Sequence, residues 1–456
     1  MTKNIKIIIF LVYFSQIQFI FAQIDSLKRI LPTLKDTHDK INVENRLALY
    51  LMEQNIEEAE IYANNALKKA QNIQYKEGEA NALSNLGEIY NAQNKPIKAL
   101  NVFNDAQKIY EKLNDEVRTA HAYTGAGIAF HQQNEYKNAI DKFNKAVILF
   151  EKNNEDENLS DTYNHIGIAN YFLAEYDKSL TFYLKSLEIN EQKKDKEKIL
   201  GNYNNIGTVY KKLENNEKAE IYFDKSYQIS LELNDKNASA QALSNLGAIY
   251  DDAEKFEKSI QMYQKALGIL ENQKDKNAIA IVLNNIGIVL GKQKKYEQAL
   301  EMMLKSLKMK EDLNDKKGVS SSLNSIANMY INKGDAQQGL VYYKRGLKVA
   351  TEIDAKDSQK EAYEGMAEAY ANIGNFEQAY QYHKKYSELK DSLFANSSNV
   401  GIIQNSFNTT QKEIKLKNEK FTILVMDLGS CKHFIFYVDG FFILEKIKCQ
   451  KNKIRV

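Results

Sequence analysis

Apolar residues recur along this chain on two superposed periods. The shorter is helical: around Gly87, apolar positions fall at Leu83, Leu86, Gly87 and Tyr90, the i, i+3, i+4, i+7 spacing of a single helical face. A short polar turn such as "AQNK" or "KLEN" follows, and then a second helical stripe, as in Ala99, Phe103 and Ala106. The longer period is 40 residues, and it carries Gly87 to Gly127, Gly167, Gly207, Gly247 and Gly287, then Ala327 and Ala367. Twelve residues beyond this slot runs a second small column, Ala99, Ala139, Ser179, Ala219, Ser259, Ala299, Gly339 and Ala379. A third (Ala106, Ala146, Ser186, Ser226, Ala266, Ser306, Gly346) is broken by Tyr386, and between the two lies a mostly aromatic column, Phe103, Phe143, Tyr183, Phe223, Tyr263, Met303, Tyr343 and His383.

Each unit therefore reads as two helices, with small residues admitting a neighbour and rings filling the gaps. The turn "LND" at 113–115, 233–235 and 313–315 closes units with residues that favour caps over helix interiors. An imperfect earlier copy starts at Glu44 and reads with a turn one residue shorter, making nine copies. One such hairpin cannot bury its apolar face alone, so neighbours must stack.

The order Leu/Tyr, Leu-Gly, Tyr, Ala, Phe/Tyr, Ala resembles the tetratricopeptide repeat. The resemblance implies an all-α fold, a right-handed superhelical solenoid of about nine helix-turn-helix repeats over residues 23–399. The usual period is about 34 residues, so 40 implies longer helices, as in the long-repeat branch found in kinesin light chains and bacterial peptide-sensing regulators. The early Trp and closing Pro of the family are missing, since the chain has no Trp and its two prolines are Pro32 and Pro96.

Composition removes several functions from consideration. With 62 basic against 60 acidic residues there is no charge bias toward nucleic acid, and Lys and Glu interspersed along helices read as a solvated surface. No phosphate loop, HExxH or Cys/His metal spacing occurs, and His38, His121 and His131 read as ordinary helix residues. The expectation is a non-enzyme without a cofactor or metal.

The ends read differently. Residues 1–22 have Lys3 and Lys6, an apolar run from Ile7 to Phe21 and a small residue at Ala22, which is the grammar of a signal peptide; a retained anchor helix is the competing reading. The two cysteines, Cys431 and Cys449, lie outside the repeats, which suits an oxidising, exported location. Residues 400–420 carry a stripe at Ile403, Phe407, Thr410 and Ile414, continued by Phe421, and read as a helical linker. It is either a short coiled coil supporting a homodimer through 403–421 or an amphipathic helix folded on the last repeat. Residues 421–444 are apolar and long enough for a membrane span. They contain Asp427, Lys432, His433 and Asp439, which are costly there, so a short β-rich or disordered tail is the alternative. The basic tail 445–456 fits the cytoplasmic flank of a span.

This order of parts, with "KDSLF" at 390–394, resembles the periplasmic sensor half of Bacteroidetes tetratricopeptide histidine kinases and nucleotide cyclases. No output domain follows before Val456, and "FTILVMDLG" at 421–429 is only a faint cyclase-like strand.

One column is not explained by packing. Two residues before the Gly slot stand Asn85, Gly125, His165, Asn205, Asn245, Asn285, Ser325 and Gly365. An amide offers both donor and acceptor, and first helices line the concave side of stacked pairs. In the long-repeat relatives an Asn ladder here grips bound peptide backbone. That resemblance implies Asn205, Asn245 and Asn285 as contact residues, with Asn85 and His165 in the same series; the alternative is that each Asn orders the stack by bonding the neighbouring repeat. The expected function is an exported, periplasmic scaffold, membrane-anchored through 421–444, that binds a protein or peptide in its groove. The competing expectation is the input module of a signal-transduction system.

Overall fold

The computed structural model describes residues 21–35, 37–392, 433–438 and 441–446. From His38 to residue 392 the chain is a succession of paired helices, nearly all 17 or 18 residues long. The chain divides into two compact units, up to Gln293 and from Lys294. The first contains the pairs His38–Leu51 with Ile56–Asn72, Lys76–Ala92 with Pro96–Lys112, and Glu116–Gln132 with Tyr136–Lys152. Asp156–Phe172 with Tyr176–Lys193, Lys196–Lys212 with Asn216–Leu233, and Lys236–Asp252 with Phe256–Gln273 follow, then Lys276–Lys292. The second unit holds Tyr296–Asp312, Lys316–Asn332 with Ala336–Glu352, and Lys356–Asn372 with a helix over 376–392.

A left-handed residue recurs every 20 positions: Asn94, Asn114, Asn134 and Asn154 all have φ between 54° and 61°. Asn tolerates this region better than most residues and so ends a helix cheaply. Where the next residue is Asp, its carboxylate starts the following helix: Asp115 accepts from the Arg118 amide at 2.9 Å, and Asp235 and Asp275 accept likewise from Ala238 and Ala278. The "LND" turn is thus a stop and a start in consecutive residues.

The small and aromatic columns interlock as their spacing predicts. Phe103, Phe143 and Phe223 are buried, as are Ala99, Ala106, Ala139 and Ala219. The Phe103 ring lies in a slot between two glycines, Gly87 on its own first helix and Gly125 on the next: a Cβ at either would come within 2.5 Å of its Cζ. Glycine is required there by close approach, not by an unusual φ. In the second unit Tyr343 does the same against Gly365.

Two expectations change. The first copy is not shorter: Leu47, Ala59, Ala63 and Ala66, all buried, stand 40 residues before Gly87, Ala99, Phe103 and Ala106, so its turn keeps the register. A helix over 21–30 also precedes the repeats. Its Ile24, only 4% exposed, packs with Leu47, Leu51 and Ala59, and its Lys28 pairs with Glu58 at 2.6 Å. Finally, His433–Val438 pairs antiparallel with Phe441–Lys446, so the described part of 421–444 is a hairpin and not a spanning helix. The aromatic and β-branched residues of both strands, with Asp439-Gly440 between them, favour that arrangement. No helix among the described residues is long and apolar enough to cross a membrane. The linker 400–420, the tail beyond Lys446 and residues 1–20 lie outside the described residues.

Candidate functional site

Three successive first helices, His38–Leu51, Lys76–Ala92 and Glu116–Gln132, line a groove of about 560 Å³. The first contributes Asn42, Asn45, Arg46 and Leu49, the second Glu77, Asn81, Ser84 and Asn85, and the third Arg118 and His121; Tyr75 and Tyr110 complete the wall. Much of this polarity is committed internally. The Arg118 guanidinium donates to Asn81 Oδ1 at 3.0 Å and Glu77 Oε1 at 2.9 Å, meets Asp115 at 2.7 Å, and lies over the Tyr110 ring. Tyr110 donates to the same Asn81 oxygen at 2.8 Å, and burial pushes its hydroxyl pKa well up. His121 is held neutral more firmly than usual because burial lowers its pKa. Arg46 and Leu49 are exposed at the groove.

The Asn column does two jobs. Asn85 donates to the Asn45 carbonyl at 3.0 Å, Asn205 to Asn164 Oδ1 at 3.0 Å, and Asn245 to Asn204 Oδ1 at 2.9 Å. Each acceptor belongs to the preceding repeat, so an amide N–H of each donor ties two repeats together. All three donors are only half-buried; the Asn85 amide also donates to Asn45 Oδ1 at 3.4 Å, while the second N–H of Asn205 and Asn245 is uncommitted among the described residues. Asn285 stands beside the hydroxyl of Tyr263 and favours its ionised form. His165 makes neither contact; it stacks on Phe143, with centroids 5.4 Å apart, and burial lowers its pKa.

The breaks in the column follow from the same geometry. This slot rests on the aromatic ring of the preceding repeat: Gly125 on Phe103, His165 on Phe143, Asn285 on Tyr263, and in the second unit Gly365 on Tyr343. Packing therefore does constrain the Asn, contrary to the expectation that it did not. The structure brings Asn85 into the groove of the first three repeats, and places Asn205, Asn245 and Asn285 on later first helices of the same unit.

Asn45 was missed by the sequence reading, although it stands 40 residues before Asn85; the supposed short turn hid it. It is buried and donates to the Gly78 carbonyl at 3.1 Å. Asn164 and Asn204, one residue before the Asn column, serve as its acceptors. Among the described residues no group of three or more His, Cys, Asp or Glu is placed to hold a metal ion.

The model of the tetratricopeptide repeat matches residues 40–112, 118–192, 199–272 and 258–312, more than half of the chain. The chain belongs to the tetratricopeptide repeat family. Similar solved structures share its fold at low identity. The apo form of RapI is 16% identical, with a TM-score of 0.62 over 77% of this chain and 98% of that one. The apo form of the quorum sensor NprR from B. thuringiensis is 15% identical, with a TM-score of 0.56 over 77% and 99%. A Rap protein complexed with competence and sporulation factor is 14% identical, with a TM-score of 0.50 over 78% and 98%. No curated protein sequence matches the chain. The fold is thus that of tetratricopeptide proteins; the kinase and cyclase sensors expected from the order of parts are not among these similar structures.

Proposed function

We propose that this tetratricopeptide protein is a non-catalytic scaffold that binds an extended peptide, or an extended segment of a protein, along its first helices. The observation that carries this reading is the half-buried amide column. Asn205 and Asn245 are each oriented by one bond to the preceding repeat, and their remaining donor and acceptor are left for a partner. A peptide backbone presents donors and acceptors in alternation, so a fixed row of amides suits it without regard to sequence. Orienting the amides in advance lowers the entropy cost of binding. The shared fold with a quorum sensor and with a Rap protein complexed with competence and sporulation factor supports the same reading. We further propose export through the leader at 1–22, giving a periplasmic protein; in a signalling system the same groove would serve as the input.

A photo-crosslinking residue at Ile281 tests the reading in intact cells. This position is 48% exposed and lies in the column of the groove-lining Asn81 and His121. The same group at Ile148, 63% exposed on a second helix, is the control. A partner captured from position 281 and not from 148, and lost when Asn205, Asn245 and Asn285 are alanine, is expected. Equal capture at both positions, or unchanged capture by a triple variant that keeps its helical circular dichroism, would overturn it.

A further inference from the structure

Toward the C-terminal ends of two neighbouring first helices, Lys76–Ala92 and Glu116–Gln132, three side chains present oxygen acceptors with no donor among the described residues. Asn91 is only 6% exposed; its amide nitrogen donates to the Gly125 carbonyl at 3.0 Å, while its Oδ1 is buried without a partner. Gln132, on the next first helix, donates to the Asn91 backbone carbonyl at 2.9 Å, and its Oε1 is likewise buried and unpartnered. Glu88 stands three residues before Asn91, so the two side chains adjoin on the helix surface. No hydrogen bond or ion pair reaches its carboxyl among the described residues.

Packing does not call for a carboxylate at this place. The equivalent residues of the next two repeats are Ile128 and Ile168, which fill the same column with hydrocarbon. Helix polarity opposes it as well: Glu88 and Asn91 sit in the last turn, where the dipole is negative and a cation is favoured. That turn contains no basic residue of its own. Buried acceptors are ordinarily paired, and one left unpaired is destabilising. Two such amide oxygens with a half-buried carboxylate one turn away, near the negative end of a helix, make a receptor for a donor-rich cation.

We infer that Glu88, Asn91 and Gln132 form a recognition site for a primary ammonium group, such as a lysine side chain, carried by the ligand. An ammonium has three donors and no acceptor, which matches one carboxylate oxygen and two amide oxygens. On the peptide-groove reading this adds a requirement for a basic residue two or three positions from the segment held by Asn85. The small-molecule test below does not depend on that reading, and the two can fail separately. Burial alone pushes the Glu88 carboxyl up to about 7, with no charged neighbour contributing. An arriving cation stabilises the ionised form and expels the proton.

Calorimetric titration of the full chain with n-butylammonium chloride, at pH 6 and pH 8, tests the site, with n-butanol and potassium chloride as comparators. The expected result is saturable binding of n-butylammonium alone, tighter at pH 8, with close to one proton released per ligand at pH 6. Glu88→Gln should weaken it about tenfold or more, the loss of one charge-assisted hydrogen bond. Glu88→Ile, the residue the next repeats already tolerate, should abolish it while preserving the fold. Equal binding of n-butanol would show an apolar pocket, and full competition by potassium an inorganic cation site. Either result, unchanged binding by both Glu88 variants, or no saturable binding would overturn the inference.

Discussion

Replacing Gly125 with alanine tests the packing rule behind the whole architecture. The added Cβ would stand 2.2 Å from Phe103 Cζ, 2.5 Å from Cε1 and 2.7 Å from Cε2. Ordinary carbon contacts are about 3.5–4.0 Å, so ring or helix must move by roughly an ångström or more. The ring has no exit on its other side, where the Gly87 backbone faces it: a Cβ there would be 2.5 Å from the same Cζ. Overpacking of this kind costs about 1–3 kcal/mol, and a sealed ring belongs at the upper end. Alanine recovers about 1 kcal/mol as the better helix former. The net expectation is a loss of about 2 kcal/mol, read from urea unfolding by circular dichroism and localised by faster hydrogen exchange in Glu116–Gln132. Phe103→Leu in the same chain should relieve the clash, leaving the double variant less destabilised than the sum by about 1 kcal/mol. A neutral or stabilising Gly125→Ala, or strict additivity with Phe103→Leu, would show that the slot is not sealed and that glycine stands there for another reason.

Asn205→Ala and Asn245→Ala each remove one hydrogen bond between repeats and should each cost about 1 kcal/mol in urea; no loss in either would deny the tie between repeats. Glu88 predicts a pH dependence in the unliganded protein. Its carboxyl is held up to about 7 against 4.5 for the free group, so the native state keeps a proton that the unfolded chain has lost. Stability should therefore fall by about 3 kcal/mol at most as pH rises from 4.5 to 7; the Glu88→Gln variant should lack this part of the slope, and a parallel pH profile in the two proteins would refute it. Ile24→Ala should destabilise the first repeat by about 2 kcal/mol or more, because that side chain is 4% exposed and fills a core outside its own helix. Hydrogen exchange in His38–Leu51 and Ile56–Asn72 should report it, and an unchanged rate would show that the preceding helix does not cover the stack.

The repeat, its period and its helix pairs are all present in the sequence, because a column of small residues every 40 positions has one physical use: close approach of helices in a stack. The "LND" turns were legible for a similar local reason, since Asn in the left-handed region and Asp at a helix start act within a few residues of themselves. The Asn column was visible as a pattern but not as a mechanism. Whether an amide at 205 or 245 faces a partner or a neighbour depends on what lies beside it in the preceding repeat, and only tertiary structure places Asn164 and Asn204 there. Gly125 looked like a gap in that column until the Phe103 ring was found to occupy the space. Glu88 looked like one more surface acid among 60 acidic residues; that it is half-buried, with no donor to its carboxyl among the described residues, is decided by stacking. Periodicity determines which residues share a helix face. The stacking of one repeat on the next decides which polar atoms find a partner, and it leaves Glu88, Asn91 and Gln132 without one.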